Sequence, residues 1–415
     1  MRRALTTFDA VCLGVNAVVG SGIYLFPGTL ASALGPASIG AWLATGLLCL
    51  PLALTFAELG AGEERTGGPF RYAELAFGNG VAFVVGWLAW VTSLISWAAV
   101  ASALPSYLAP FWPSLSGGAA AHAVSAAVVL AFAALNVIGV KPGARLMDAL
   151  TLLKLVPLAV FAVVGLFSLQ ASAFHPVSPH GLGALPGMAL MTLFAYQGFE
   201  VVGVPSGEVR EPRRVVPRAV LVSLLFPALL YALVQVVFVG VGAPAGEAPL
   251  VVAAERFLGA PGGALLGLGA LVSMLGYSAG TALCAPRYLQ ALADERLVPA
   301  GLARPHARFQ TPAVAIAVSA LVTLVLTLWL RFDSLVDLAA LAVLGQYLAS
   351  SAALVRIGRG RSRLLGAVAF LVSLLFSAQG ELRQVALLML MTLVGGAVAL
   401  ATRRLSPDRS GPSAG

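Results

Sequence analysis

Three places in this chain put polar or helix-weakening residues where apolar ones would be cheapest. The first is Leu13-Gly14-Val15-Asn16-Ala17-Val18-Val19-Gly20-Ser21-Gly22-Ile23-Tyr24, inside an apolar run from Phe8 to Leu34. Two poor helix formers there flank a serine that tends to bond its own backbone. A break at that point frees amide groups at the start of a new half-helix, which suit an anion such as a carboxylate. The same small residues also suit close packing of two helices. The second place is Phe194-Ala195-Tyr196-Gln197-Gly198-Phe199-Glu200, again with glycine and polar residues at mid-run. Glu200 is the one carboxylate well away from both ends of its run. It suits bracing a second half-helix at its N-terminus, or facing a cavity. The third is Lys154 in Leu152-Leu153-Lys154-Leu155-Val156-Pro157. A lysine at such depth costs roughly 2.5–3.5 kcal/mol on insertion scales. The next basic residue, Arg145, lies 9 positions back, about 13 Å of helix, long for a lysine stem to snorkel. An inward-facing functional amine is the favoured reading, and a desolvated amine can carry a proton.

The elements that must position these residues are membrane spans. The chain has 415 residues, of which 59% are hydrophobic and 10% charged, with a mean hydropathy of +0.94. Soluble domains carry about 25% charged residues. Twelve apolar spans are read at about 8–34, 38–59, 80–108, 119–140, 146–169, 184–206, 217–242, 262–292, 312–330, 334–356, 364–380 and 383–402. Twelve crossings place both termini on one side. Of the 25 basic residues, 21 then fall on that side, only Arg256, Arg331 and Arg383 fall opposite, and Lys154 lies within a span. The positive-inside rule makes the termini cytoplasmic in a multi-pass inner (cytoplasmic) membrane protein.

The two interrupted segments lie five spans apart, the mark of an inverted five-plus-five repeat with its binding site between broken helices. This predicts an all-α polytopic fold. Residues 1–169 form one repeat, 184–356 the second, 364–402 two accessory spans, and 403–415 a polar cytoplasmic tail.

Other chemistries find little support. Cys12, Cys49 and Cys284 sit inside apolar spans at no metal-like spacing and read as core residues, with no metal site, disulfide framework or cofactor. His122, His175, His180 and His306 are scattered near span ends, so no intramembrane enzyme constellation forms. The net charge of +8 is spread over short connectors and does not indicate nucleic acid. Nor is there an ATP-binding motif or a channel-like ring of repeated polar residues. The connectors Gly207–Arg214 and Ala293–Leu297 mix charges and read as solvated loops rather than gates.

Four motifs in order then carry a resemblance. They are Val19-Gly20-Ser21-Gly22-Ile23-Tyr24; Ala57-Glu58-Leu59-Gly60 leading to Gly67-Gly68-Pro69-Phe70; Phe194 to Glu200; and Arg287-Tyr288 through Ala293-Asp294-Glu295-Arg296-Leu297-Val298-Pro299 to Thr311-Pro312. From about Thr7 to Arg356 the chain resembles bacterial amino acid permeases of the amino acid–polyamine–organocation superfamily. The resemblance implies the leucine-transporter fold and a secondary transporter of amino acids, by proton-coupled uptake or exchange, monomeric or homodimeric in the lipid membrane. It implies that the substrate carboxylate meets amides of Gly20, Ser21, Gly22 and Ile23, and that the zwitterion bridges this break and the one at Tyr196 to Gly198. The substrate ammonium would meet carbonyls of Phe194, Ala195 and Gln197. Lys154 matches a family lysine that donates to carbonyls near Asn16 and Val19, with proton coupling as its role. Trp90, Ser93, Ser96, Trp97, Tyr277, Ser278, Thr281, Gln346 and Tyr347 are candidates for the side-chain pocket. With Glu200 the only deep acid, a neutral amino acid is preferred over a cationic one or a polyamine.

Overall fold

The computed structural model describes residues 5–109, 112–115, 117–138, 140–246, 248–330 and 332–405. Arg2, Arg3, Arg331 and the tail from Ser406 lie outside the described residues, as do the side chains of Lys141, Arg403 and Arg404. Helices occupy the apolar runs: α1 Thr7–Val18, α2 Gly22–Leu34, α3 Ser38–Gly62, α4 Pro69–Phe77, α5 Asn79–Leu108, α6 Gly118–Ile138 and α7 Val140–Gly165. They continue as α8 Leu185–Tyr196, α9 Pro212–Gly240, α10 Pro249–Asp294, α11 Ala313–Trp329, α12 Phe332–Ile357, α13 Arg361–Ser377 and α14 Leu382–Leu405. Among the described residues the only strand-like pairing is a single bridge between Leu5 and Val209. Eight helical stretches are long and apolar enough to cross a membrane, and the first of them, Thr7–Gly62, holds α1 to α3 in succession. Leu47, Leu229, Leu321 and Leu393 are each more than 60% exposed, a surface that suits lipid rather than water.

Local chemistry sets the element ends. Thr6 caps α1 reciprocally: its hydroxyl accepts the Asp9 N–H at 3.3 Å, and the Asp9 carboxylate accepts the Thr6 N–H at 2.6 Å. Pro69 opens α4, a short helix in a connector for which no helix is expected from the apolar pattern. α10 begins ahead of the expected 262–292 span because helical structure resumes on both sides of a kink at Gly259, whose φ is +67°. The segment before that kink, from Pro249, is too polar to read as membrane-spanning.

The broken pair lies at the centre. α1 packs on α9, α7 and α10, and α8 packs on α3, α12 and α2. Around them α3 packs on α9, α5 on α10 and on α12, α7 on α10, and α6 on α11. α13 leans on α12 and α3, and α14 touches α5 and α12 from outside.

The face where α1 begins is closed by ion pairs. Arg71 donates to Glu74 at 2.9 Å, to Glu295 at 2.6 Å and to the Thr66 carbonyl at 3.1 Å. Arg287 in α10 meets Glu208 at 3.1 Å, with side-chain exposures of only 7% and 13%. The Leu5 N–H donates to the Glu208 carbonyl and the Arg210 N–H to the Leu5 carbonyl, both at 2.9 Å, so the entry to α1 is tied to the segment after α8. The expectation of purely solvated connectors is therefore corrected for Glu208 and Glu295. It holds for Arg213 and Arg214, which are 72% and 77% exposed. Burial pushes the Glu63 carboxyl up, but the hydrogen bonds and charge of Arg65, with Arg71 beyond, outweigh it and hold Glu63 below the usual carboxylate range. Its contribution to stability is complete above the ordinary value of 4.5 and is lost as pH falls through the lowered one.

Removing Arg71 leaves Glu74 and Glu295 without their shared cation. Arg71→Met is expected to destabilise the detergent-solubilised protein by about 2–3 kcal/mol, read from its denaturation midpoint. A change below about 0.5 kcal/mol would reduce the network to a solvated surface cluster.

Candidate functional site

The site starts from backbone groups that the two breaks leave without helical partners. Between α1 and α2 the chain departs from helix at Val19, with φ −76° and ψ 78°. The Gly20 N–H turns back to the Val18 carbonyl at 2.8 Å. Among the described residues the N–H groups of Ser21, Gly22 and Ile23 have no acceptor, as the first turn of a helix dictates. All three residues are buried. Of the four amides expected to be free, Gly20 is thus already paired.

The second break follows α8. Gly198 takes φ +128°, and its N–H donates to Glu200 Oε2 at 2.8 Å instead of continuing the ladder to Phe194. A 3₁₀ turn over Phe199–Gly203 follows. The Phe194, Tyr196 and Gln197 carbonyls are left without a partner among the described residues. The Ala195 carbonyl, expected to be free, lies 3.1 Å from the Tyr231 hydroxyl of α9, which also lies 2.7 Å from the Val18 carbonyl. One phenol thus stitches both broken ends. The breaks also touch directly. A Cβ on Gly198 would sit 2.6 Å from the Ala17 carbonyl carbon, and one on Gly22 would sit 2.7 Å from the Ala195 methyl. Only glycine fits either place.

Lys154 is fully buried. Its Nζ donates to the Asn16 carbonyl at 2.9 Å, to Asn16 Oδ1 at 2.7 Å and to the Val19 carbonyl. The Ser273 hydroxyl of α10 lies 3.1 Å from the carbonyls of both Val19 and Gly20. The snorkelling alternative for Lys154 is excluded by these contacts. Glu200 does both things considered for it. Its Oε2 braces the Gly198 turn and accepts the Tyr347 hydroxyl at 2.9 Å, and the residue lines a cavity.

That cavity is about 30 Å³ and is bordered by α1, α5, the second break and α10. It has room for one or two waters. Asn16, Thr92, Ser96, Gln197 and Thr281 give it a polar wall. The Gln197 amide donates to Ser96 Oγ at 3.2 Å, while its own Oε1 is buried without a partner. Of the sequence-expected residues, Gln197, Gly198, Glu200, Ser93, Ser96, Tyr277 and Thr281 line it. Gly20 to Ile23 and Phe194 to Tyr196 stand beside it rather than in its wall. The Tyr277 ring forms the partition, because it lines the cavity and a Cβ on Gly20 would touch it at 3.4 Å.

A family model described as amino acid permease matches residues 5–402. The chain belongs to this family. It is 29% identical over 350 residues to the serine/threonine exchanger SteT of Bacillus subtilis, covering 81% of this chain and 79% of that one. It is 28% identical over 335 residues to the methylthioribose transporter of the same organism (75% and 72% covered), and 26% identical over 341 residues to its branched-chain amino acid permease BcaP (76% and 72%).

In this permease several pocket candidates point elsewhere. The Trp90 indole donates to Ser319 of α11 at 2.9 Å, and Trp97 packs with Val129, Ile316 and Ala320. Gln346 donates to Thr92 at 3.1 Å and so stands behind the wall. Tyr347 holds Glu200 while stacking on Phe199. Sequence reasoning missed the Asn16 side chain, Tyr231 and Ser273. Asn16 carries the one signal that could have found it, as the only carboxamide in the first apolar run.

The glycine requirement gives a paired test. Gly198→Ala meets both a left-handed backbone and the Ala17 carbonyl, and is expected to cost about 2–3 kcal/mol in the permease's denaturation midpoint. Gly187→Ala, in α8 with open space around its Cα, is expected to be neutral or to stabilise by up to about 1 kcal/mol.

Proposed function

We propose that this permease is a secondary active transporter of small neutral amino acids that works by alternating access. The observation that carries the reading is the meeting of two helix breaks, with unpaired amides on one and unpaired carbonyls on the other, beside a small cavity with several polar side chains in its wall. A zwitterion has the complementary ends. Its carboxylate suits the N–H groups of Ser21, Gly22 and Ile23 at the positive end of α2, and its ammonium suits the Phe194 and Gln197 carbonyls. The adjoining chamber, with Ser96, Gln197 and Thr281, takes the side chain once the Tyr277 partition moves.

The helix packing supports two inverted repeats, 1–169 and 184–356, with 364–402 accessory and 403–415 a tail. Exchanging each of the first five spans for the one five later maps the contacts onto one another: α7 on α10 becomes α12 on α5, and α1 on α9 becomes α8 on α3. Twelve crossings with cytoplasmic termini in the inner membrane agree with the arginine distribution. The relatives' names span serine and threonine, branched-chain amino acids and methylthioribose at similar identity, so the cavity is the better guide to substrate. Its volume favours a small side chain. A second ammonium, as in a cationic amino acid or polyamine, would need Glu200, whose Oε2 already serves Gly198 and Tyr347 and which leaves a single oxygen, Oε1, for it. A channel would need a continuous path, whereas the ion pairs at one face and the Phe26–Phe194 and Tyr24–Tyr107 contacts near the other close both approaches. Lys154 is proposed to exchange a proton during the cycle, as part of proton-coupled uptake or of exchange.

Purified protein in proteoliposomes is the test. A panel of labelled amino acids is expected to show saturable uptake or counterflow, strongest for serine- and alanine-sized substrates. Lys154→Ala is expected to lower the initial rate at least about tenfold, as for a lost buried charge contact. Non-saturating flux would overturn the transporter reading. An unchanged Lys154→Ala rate would remove the lysine from the mechanism.

A further inference from the structure

Asn16 is gripped from three directions. Two of the three acceptors around the Lys154 amine belong to it, its main-chain oxygen at 2.9 Å and its Oδ1 at 2.7 Å. With Oδ1 turned to the amine, Nδ2 faces the other way and donates to the Gly276 carbonyl of α10 at 2.8 Å. The amide lies in a slot made by two glycines one turn apart. A Cβ on Gly276 would stand 2.9 Å from Oδ1, and one on Gly280 would stand 2.8 Å from Nδ2. Any larger residue at either position would expel it. Asn16 is 1% exposed and borders the cavity.

An ammonium has three N–H donors and a neutral amine has two plus a lone pair. The three oxygens at Lys154 therefore match its charged form donor for donor. If the proton leaves to water in the neighbouring cavity, one oxygen loses its donor and meets a lone pair instead. The main-chain oxygens of Asn16 and Val19 are held by the backbone, whereas Oδ1 sits on a side chain that can rotate. Oδ1 is thus the acceptor that gives way, and its rotation withdraws Nδ2 from Gly276.

We infer that Asn16 is a positioning residue that converts the charge state of Lys154 into the presence or absence of the tie between α1 and α10. This rests on the proton-exchange role proposed for Lys154, and it adds the element that responds. Around the amine, α1 contributes Cys12, with Asp9 and Asp148 of α7 acting on that thiol beyond. α2 contributes Tyr24, whose hydroxyl donates to the Lys154 carbonyl at 3.1 Å. α10 contributes Ser273 and Gly276, neither of which titrates.

Hydrogen exchange of the full-length purified protein, read over residues 7–18 and corrected for intrinsic exchange chemistry, tests this without needing a substrate. In the wild type, protection of this helix is expected to fall about tenfold from the low-pH plateau to the high-pH one, the effect of losing a hydrogen bond to a charged group. Asn16→Ala is expected to show the low protection at every pH. Gly280→Ala, whose methyl group fills the slot and displaces the Asn16 amide while leaving both Asn16 and Lys154 in the sequence, is expected to do the same. Asn16→Ala in a Lys154→Ala background should lower protection no further. Wild-type-like pH dependence in Asn16→Ala or Gly280→Ala overturns the inference, as do additive losses in the double variant or a wild type whose protection does not respond to pH. Because uptake is measured separately, proton-independent transport alongside the expected exchange pattern would sink the coupling role while leaving the Asn16 tie intact.

Discussion

A peptide group inside a bilayer has no water to turn to, and every part of this molecule's centre follows from that constraint. Breaking two helices at mid-depth releases several N–H and C=O groups, each costing several kcal/mol if left alone. The partners that relieve this cost are the polar residues otherwise out of place in apolar helices. Lys154 and Ser273 serve the carbonyls of Asn16, Val19 and Gly20. Tyr231 serves Val18 and Ala195 together, and Glu200 serves the Gly198 amide. What these residues leave unserved are the amides of Ser21 to Ile23 and the carbonyls of Phe194, Tyr196 and Gln197, from which the proposed ligand set is drawn. A site of this type is defined as much by which groups the protein satisfies as by which it does not.

The same accounting explains the packing. The two breaks meet at close range, so glycine stands at Gly22 and Gly198, where a Cβ would collide with the Ala195 methyl or the Ala17 carbonyl carbon. Elsewhere in the core large aromatic side chains fill the space between helices. Trp42, Tyr196 and Tyr231 lie with ring centroids 5.0–5.8 Å apart, and Phe56, Phe199 and Tyr347 within 5.5–5.9 Å. Tyrosine is the suitable residue here because its ring packs as an apolar body while its hydroxyl reaches a stranded carbonyl or carboxylate.

How much of this could be read beforehand depends on whether a residue violates its surroundings. Gly20-Ser21-Gly22, Gly198, Glu200 and Lys154 stand out because each is wrong for an apolar helix; the breaks lie at the first two, while Glu200 and Lys154 serve the groups the breaks expose. Direction around a helix is another matter. α5 is buried on nearly all sides, so apolar residues circle it without a polar face, and nothing in the sequence says that Trp90 turns to Ser319 while Ser93 and Ser96 turn to the cavity. Tyr231 and Ser273 were equally hidden, being hydroxylated residues of a kind common in such spans. The ion pairs of Glu208 and Glu295 are not legible in the sequence, because loop composition reports polarity but not what folds over it. α4 escaped because a nine-residue helix in a connector has no long apolar run to mark it.

The two closures of the central cavity differ in kind, and the difference has a consequence for how they open. Towards α2 and α8 the closure is apolar and aromatic, Phe26 against Phe194 with centroids 6.0 Å apart. Separating such surfaces exposes area and costs in proportion to it. Towards the start of α1 the closure is the Arg287–Glu208 pair and the Leu5 hydrogen bonds. Separating these lets water bind the charges and amides again, and that hydration offsets most of the loss. The charged closure is therefore the less costly of the two to open into water. It is also the one that ties α1 to the segment after α8, since Leu5 binds the main chain of Glu208 and Arg210. Under the proposed function, a substrate that joins the two breaks would reinforce that tie from within, so binding and opening of the charged face would act on the same pair of segments.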